Sequence, residues 1–470
     1  MKDILFKSVI FASLMTSASA MAKTFNVMAP LVIGDLEDQE SQESQDAWQE
    51  FANDLVSIKK LGADAVSTDV WWGVVEPENN NFNWSYYDKV YNYIKAAGLK
   101  WIPILSFHTC GGNVGDTCNI PIPGWVWSLS NPDDLMYKSE QGNQTREVVS
   151  VWGTQLIINE YRQLMEAFAA HFADAASDIV EINVSLGAAG ELRYPSYNSH
   201  DTGAGYPTRG ALQAYSPSAV KSFQTFAIEK YGDIESVATA WNIVGALSHE
   251  SQILPPSNVQ AFIDREDDYK TQYGRDFHTW YHQSLLNHGK LILTQAVEVF
   301  SNNLSPFKSS EIGAKIPGIH WLAGAKRRAE LAAGLIQSSG DDLKDESQGM
   351  GYKSIISAIK SLESHPNNPK MVLHFTCLEM GDRENWDNAK SLAKSLVRWV
   401  GKEAHRQGIA LKGENALAGG LYSDYGWNNI EEAIADYHYD GATFLRVFDI
   451  TRNNAIGAER FEQLVKSYKK

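Results

Sequence analysis

The chain has 470 residues, 44% of them hydrophobic and 21% charged, the profile of a globular protein. Its formal charge of −16, with no lysine- or arginine-rich block, argues against nucleic-acid or anionic-membrane partners, which need basic surfaces. The 14 Trp and 20 Tyr suit neutral polyhydroxylated ligands, because rings stack on sugar faces, although most of them must fill a large core.

The first residues read as an export signal. Lys2 and Lys7 frame a basic start, residues 8–14 are apolar, and Ala18-Ser19-Ala20 or Ala20-Met21-Ala22 offers a small-x-small cleavage site. The expectation is a signal peptide over 1–22 and one catalytic domain over 23–470, secreted or periplasmic. No later apolar run is long enough to span a bilayer. A short apolar run follows at 25–31. Trp48, Phe51, Leu55, Ile58 and Leu61 fall at steps of three and four, an amphipathic helix over 46–61. A strand over 63–70 carries Asp69. Ser85 with Asp88 resembles a capping box, and Gly98 stops the helix that follows.

Strands are then expected at 99–107, 179–186, 311–316, 371–377, 409–411 and 442–447. The helices between and after them are expected at 156–175, 217–231, 325–337, 388–407, 430–437 and 458–468. Eight strand–helix pairs in strict alternation predict an α/β fold, a (β/α)8 TIM barrel with long loops and its active site at the C-terminal strand ends. The interval 198–310, rich in Pro, Tyr and Trp, reads as loop and helix excursions over the barrel mouth. Of the three cysteines, Cys110 and Cys118 share a glycine-rich loop. Either they form a local disulfide or all three, with Cys377, stay reduced.

Polar groups gather at the strand ends. Asp69 and Glu76 follow the second strand; His108 and Asp116 the third. Glu191 follows the fourth, behind Gly187-Ala-Ala-Gly190, read as small residues that clear an approach for substrate. Lys315, His320 and Trp321 follow the fifth, and Thr376 and Glu379 the sixth. Glu414, Asn415 and Ala416 follow the seventh, and Arg446 ends the eighth. Singly, each has a bland explanation: Asp69 could cap a helix, His108 could be a core imidazole, Glu379 a solvated loop charge. Together they exceed what core packing requires. Glu191 and Glu414 belong to different strands, and paired carboxylates are what glycoside hydrolysis needs: one held protonated to donate, one ionised.

The segments DVWWG, SFHTCGGNVGD, GELRYPSY, KIPGIHW, FTCLEM and GENAL, in this order across 25–446, resemble those of the beta-amylases. That resemblance implies an inverting exo-hydrolase that releases β-maltose from non-reducing ends of α-1,4-glucans such as starch and maltodextrins. It implies Glu191 as general acid and Glu414 as the base that activates water. Asp69, His108 and Asp116 would hold the terminal glucose, with Asp116 on a mobile flap over 111–118. Lys315, His320 and Trp321 would contact sugar near the cleaved bond. Thr376 would sit on an inner loop, and Asn415, Ala416 and Arg446 would make further substrate contacts. The implied protein is a monomer with glucan substrates, no nucleic acid, no membrane and no required cofactor.

Some features depart from the plant-type pattern. Cys118 and the stretch 231–241 are more similar to bacterial members, some of which hold a structural calcium near the position of Glu76. Asn79-Asn80-Asn81 follows here, where acidic ligands would be expected, so the metal assignment is none, with Glu76 the one calcium candidate. Pro317 and Gly381 are unusual beside the motifs. The chain ends shortly after Arg446, so no starch-binding module is expected, and weaker action on raw granules than on soluble starch. Two other readings compete: a retaining barrel glycosidase of beta-galactosidase type, suggested by 231–241, and a catalytically silent glucan-binding protein. The presence of both Glu191 and Glu414 argues against the second.

Overall fold

The computed structural model describes residues 23–469, except 113–115, 198–199, 244, 246, 325, 340–342 and 386–387. The expected signal peptide, 1–22, lies outside the described residues. Eight parallel strands close into a barrel in chain order: β1 (Thr24–Met28), β2 (Ala65–Trp71), β3 (Lys100–Ser106), β4 (Glu181–Val184), β5 (Glu311–Ile316), β6 (Met371–Phe375), β7 (Ala410–Glu414) and β8 (Gly441–Phe444), with β1 pairing β8. Short runs covered on both faces suit parallel strands, and Val27, Val66, Ile104, Ile182, Ile312, Leu373, Leu411 and Phe444 are all buried.

Among the described residues the longer helices around the barrel include α1 (Gln42–Lys60), α2 (Ser85–Ala96), α3 (Thr154–His171), α4 (Gln272–Phe300), α5 (Lys353–Lys360), α6 (Ala393–Gln407), α7 (Asp424–Asp436) and α8 (Ala455–Tyr468). In α1 the side chain of Ser41 accepts from Ser44 N, and the expected stripe of Trp48, Phe51, Leu55 and Ile58 is buried. The capping box at Ser85 does not form. The N-cap of α2 is Trp84, without a side-chain cap bond, and Ser85 Oγ instead donates to Asn83 Oδ1 at 2.7 Å. Gly98 does follow the helix, in the left-handed region at φ +70°.

Two barrel helices differ from the sequence reading. The helix packed beside β4 and β5 is α4, 29 residues long, whereas Pro217–Tyr231 belongs to the excursion and packs on α4. The apolar stripe of α4 is broken by buried histidines, which hid it. His288 Nε2 lies 2.7 Å from Leu186 O, and His282 Nδ1 lies 2.7 Å from Gly334 O. The helix expected over 325–337 is only Arg328–Ala332, followed by Gly334 at φ +79°, and α5 covers β6 instead. The face of α5 is made of β-branched Ile355, Ile356 and Ile359, weak helix formers held by burial. Among the described residues no helix is long and apolar enough to cross a membrane.

Candidate active site

The turn after β4 carries the first carboxylate. Leu186 N donates to Gly190 O at 3.1 Å, and Leu192 N donates across to Lys315 O on β5 at 2.8 Å. A Cβ on Gly187 would sit 2.5 Å from Glu191 O, and one on Gly190, at φ +79°, would sit 3.1 Å from His108 Cε1. At these two positions the small residues let the chain close on itself and on His108. Glu191 then emerges beside Arg193, whose Nε lies 2.9 Å from Glu191 Oε2. Arg193 is fully buried and its guanidinium lies 4.3 Å from the Tyr197 ring centroid.

The second carboxylate, Glu414, is the last residue of β7, a strand that runs further than the expected 409–411. It accepts a charge-assisted bond from Lys315 Nζ, and His374 Nδ1 lies 3.3 Å from its Oε1. The two acids therefore meet opposite surroundings. Burial pushes Glu191 above the usual carboxylate range, against Arg193, and the charge of Glu414 adds to the rise. Burial would also raise Glu414, but Lys315 and His374 overcome it and hold that carboxyl at about 2. One group is biased to keep a proton and the other to lose it.

The expected sugar-holding groups rim the same end of the barrel. Asp69, within β2, accepts from Ser106 Oγ at 2.8 Å; burial raises its pKa, against Arg446 and Lys315. His108 Nδ1 is 2.9 Å from Ser185 Oγ, and burial holds the ring at about 3, hence neutral. Asp116 Oδ2 accepts from Gly111 N at 2.8 Å, so it folds back on the base of the flap. Cys110 and Cys118 form a disulfide at that base, with Cα atoms 5.6 Å apart, and Cys377 is a buried free thiol. The flap residues 113–115 lie outside the described residues. A cavity of about 400 Å³ lies beside the flap, walled by Thr109, Gly111, Gly112 and Trp127, and neither Glu191 nor Glu414 lines it.

On the opposite wall, His320 Nδ1 is 2.8 Å from Ser391 Oγ, and Trp321 Nε1 donates to Thr208 O at 2.7 Å. Tyr197 and Tyr206 meet the Trp321 ring edge-on, at 4.9 and 5.2 Å. Thr376, just past β6, accepts from Gly318 N at 2.7 Å. Asn415 brackets the Leu445 peptide, donating to Leu445 O and accepting from Leu445 N, each at 2.8 Å. Ala416 is exposed, and Arg446 Nη1 donates to Ala29 O at 3.2 Å. Glu76 has both oxygens taken, by Trp72 Nε1 and Asn80 N at 2.8 Å each.

Glu379 is not a solvated charge. It is buried, accepts from Leu417 N at 2.8 Å and Ala416 N at 3.0 Å, and burial pushes its carboxyl up to about 7. It anchors the loop after β7. Gly381, flagged as unusual, leaves room for the Tyr425 hydroxyl, which would lie 1.8 Å from any Cβ there. The sequence reading missed Arg193 as a partner of Glu191, and it missed His374, Glu181 and Lys412 altogether. The only available signal for these last three was charge inside otherwise apolar strands.

The family described as glycosyl hydrolase family 14 matches residues 27–470. A protein named thermophilic beta-amylase from Thermoanaerobacterium thermosulfurigenes is 38% identical over 458 residues, covering 96% of this chain and 76% of that one. A beta-amylase from Bacillus cereus is 38% identical over 413 residues, covering 87% of this chain and 70% of its own. The crystal structure of the catalytic domain of a beta-amylase from Paenibacillus polymyxa superposes with a TM-score of 0.80 at 36% identity, covering 95% of this chain and 99% of that one. A beta-galactosidase from psychrophilic Marinomonas ef1 shares the barrel alone, at 11% identity and a TM-score of 0.55 over 95% of this chain and 59% of that one. With a family match across nearly the whole described chain and relatives of this similarity, the chain belongs to glycosyl hydrolase family 14.

Proposed function

We propose that the protein is a beta-amylase, which removes successive β-maltose units from non-reducing ends of starch and maltodextrins with inversion at the anomeric carbon. The observation that carries the reading is the contrast in surroundings of the two buried carboxyls: Glu191 beside Arg193, and Glu414 between Lys315 and His374, a contrast that holds the first up and the second down. An inverting glycosidase needs a protonated acid beside the leaving oxygen and an ionised base on the other face of the ring. In this reading Glu191 donates its proton to the glycosidic oxygen as the bond breaks. Glu414 takes a proton from the water that attacks the anomeric carbon. Asp69, His108 and Asp116 hold the terminal glucose, and Arg446 lies within the charge field of Asp69 and Asp116. Lys315, His320, Trp321, Thr376, Asn415 and Ala416 line the path of the next units. The relatives that bear the name beta-amylase, matched over 76% and 70% of their own length, support the substrate class.

The work site in this reading is secreted or periplasmic, which the basic-then-apolar start of the chain supports, and catalysis requires no cofactor. The direct test is incubation with soluble starch and, separately, nitrophenyl galactoside. Maltose as the dominant product from starch, with galactoside left intact, is expected. Glucose as the dominant product, or galactoside hydrolysis at a comparable rate, would overturn the reading.

A further inference from the structure

A line of charge runs through the barrel interior beneath the two carboxylates. Lys315, His374 and Lys412 stand in register on the neighbouring strands β5, β6 and β7, and all three are buried. His374 Nε2 lies 2.5 Å from Glu181 Oε1 on β4, and its Nδ1 lies 3.3 Å from Glu414 Oε1. The second contact is close enough for an ion pair but is not aligned as a hydrogen bond. The other oxygen of Glu181 takes Lys412 Nζ at 2.6 Å, and the same ammonium reaches Glu311 Oε2 at 2.9 Å. Asn183 Nδ2 donates to Glu181 Oε1 at 2.7 Å, and Lys315 donates to Glu414. The line therefore begins at the last residue of β7 and ends at Glu311, the first residue of β5, at the opposite end of the barrel.

The geometry selects a protonation state for His374. Each ring nitrogen faces a carboxylate oxygen, yet a neutral imidazole has one N–H and one lone pair. The neutral ring would turn a lone pair on one carboxylate or the other. Charge balance within this line agrees: Glu181, Glu311 and Glu414 face Lys315 and Lys412, and an imidazolium evens the count, while Arg446, Asp69 and Glu191 also act on Glu414 from the neighbouring strand ends. Burial alone would strip the ring of its proton, but Glu181 and then Glu414 outweigh it and raise the ring above its ordinary value.

We propose that His374 is an imidazolium wedged between Glu181 and Glu414, a positioning residue that fixes the base carboxylate and keeps it ionised. Glu181, which does not touch Glu414, acts on the base through that ring. The proposal rests on Glu414 being the base. The sign follows from charge: losing the cation beside Glu414 makes its carboxylate easier to protonate, so activity fails at higher pH on the acid side.

The test is the pH profile of kcat/KM on maltopentaose for the wild type, His374→Gln and Glu181→Gln, with nitrogen-15 imidazole spectra of all three. His374→Gln should move the acid limb up by about one pH unit, roughly tenfold in rate below the limb, with KM little changed, whereas Glu181→Gln keeps a ring that is charged at low pH and should leave the limb nearer its wild-type position. The wild-type spectrum should contain, at neutral pH, one buried ring bearing two N–H groups, absent from His374→Gln, and its titration midpoint should fall in Glu181→Gln. A purely structural role would lower the melting temperature of both variants and leave the acid limb of His374→Gln in place, which would overturn the proposal. A single N–H on His374 would overturn it equally, and if His374→Gln fails to fold the ring is still identified by its lowered midpoint in Glu181→Gln. Retained turnover in Glu414→Gln would refute the base assignment, and with it the positioning role, while leaving the doubly protonated ring to be seen.

Discussion

Replacing Arg193 by methionine tests how the proton donor is tuned. Arg193 Nε lies 2.9 Å from Glu191 Oε2, and its side chain is only 1% exposed. The guanidinium favours ionised Glu191, opposing the burial that holds the proton on. At that separation and an effective dielectric constant of about 20, the pair is worth about 6 kcal/mol, a ceiling of about 4 pH units. Water entering the vacated space and relaxation of the turn should reduce this to about 1–3 units, the usual effect of a neighbouring arginine. Glu191 works in its protonated form, so turnover falls as pH rises through its pKa. Removing the cation raises that pKa, and the alkaline limb of kcat/KM should move up by the same amount. The acid limb, set by Glu414, should stay. The plateau should drop by about tenfold or more, because the carboxyl loses the partner that orients it. Arg193→Lys keeps the charge and should leave the limb near its wild-type position. The assay is the pH profile of kcat/KM on maltopentaose for the three proteins. An alkaline limb that is unmoved, or moves down, in Arg193→Met would refute the electrostatic reasoning.

Glu191→Gln and Glu414→Gln should each cut turnover by at least about 10³-fold while maltose, titrated calorimetrically, still binds; near-normal rates in either would undo its assignment. Asp201 accepts from Ser139, Asn143 and Gln213 at 2.6, 3.0 and 3.1 Å and has His200 Nε2 at 3.2 Å. Burial would raise it, but these partners bring its carboxyl from 3.8 down to about 2. A lowered carboxylate pKa contributes stability that is present above the unfolded value and lost as pH falls through the folded one, here about 2–3 kcal/mol. Asp201→Ala should lower neutral-pH stability by that much or more in a denaturant titration and flatten its fall between those two pKa values; an unchanged midpoint would contradict this. Cys118→Ser opens a loop with a sequence separation of 8, worth about 2.5 kcal/mol by chain entropy. Its melting temperature should fall, and reductant should lower the wild type towards it, whereas a variant as stable as the oxidised protein would show that the bridge adds nothing.

The barrel was legible because its signals are local. Each strand is a short apolar run, and α1 shows its stripe of Trp48, Phe51, Leu55 and Ile58 at helical spacing. Two helices escaped for local reasons as well. In α4, buried histidines interrupt the stripe; in α5, three isoleucines in eight residues carry little helical preference of their own. The rim was legible because strand ends place polar groups at predictable points, as with Lys315 and Glu414. The layer beneath was not. His374 meets Lys315 and Lys412 only because three strands pair in one register, and Glu181 reaches it across the barrel from a residue 193 positions away. Glu379 had a solvated loop charge as its bland alternative, because only the folded loop brings the Ala416 and Leu417 amides to it.

The central claim is that Glu191 and Glu414 cleave a glucan chain end with inversion. The most direct measurement is a proton NMR time course on maltopentaose, read before mutarotation mixes the anomers. The first new anomeric signal should be that of β-maltose. α-Maltose appearing first, or glucose as the dominant product, would contradict the account.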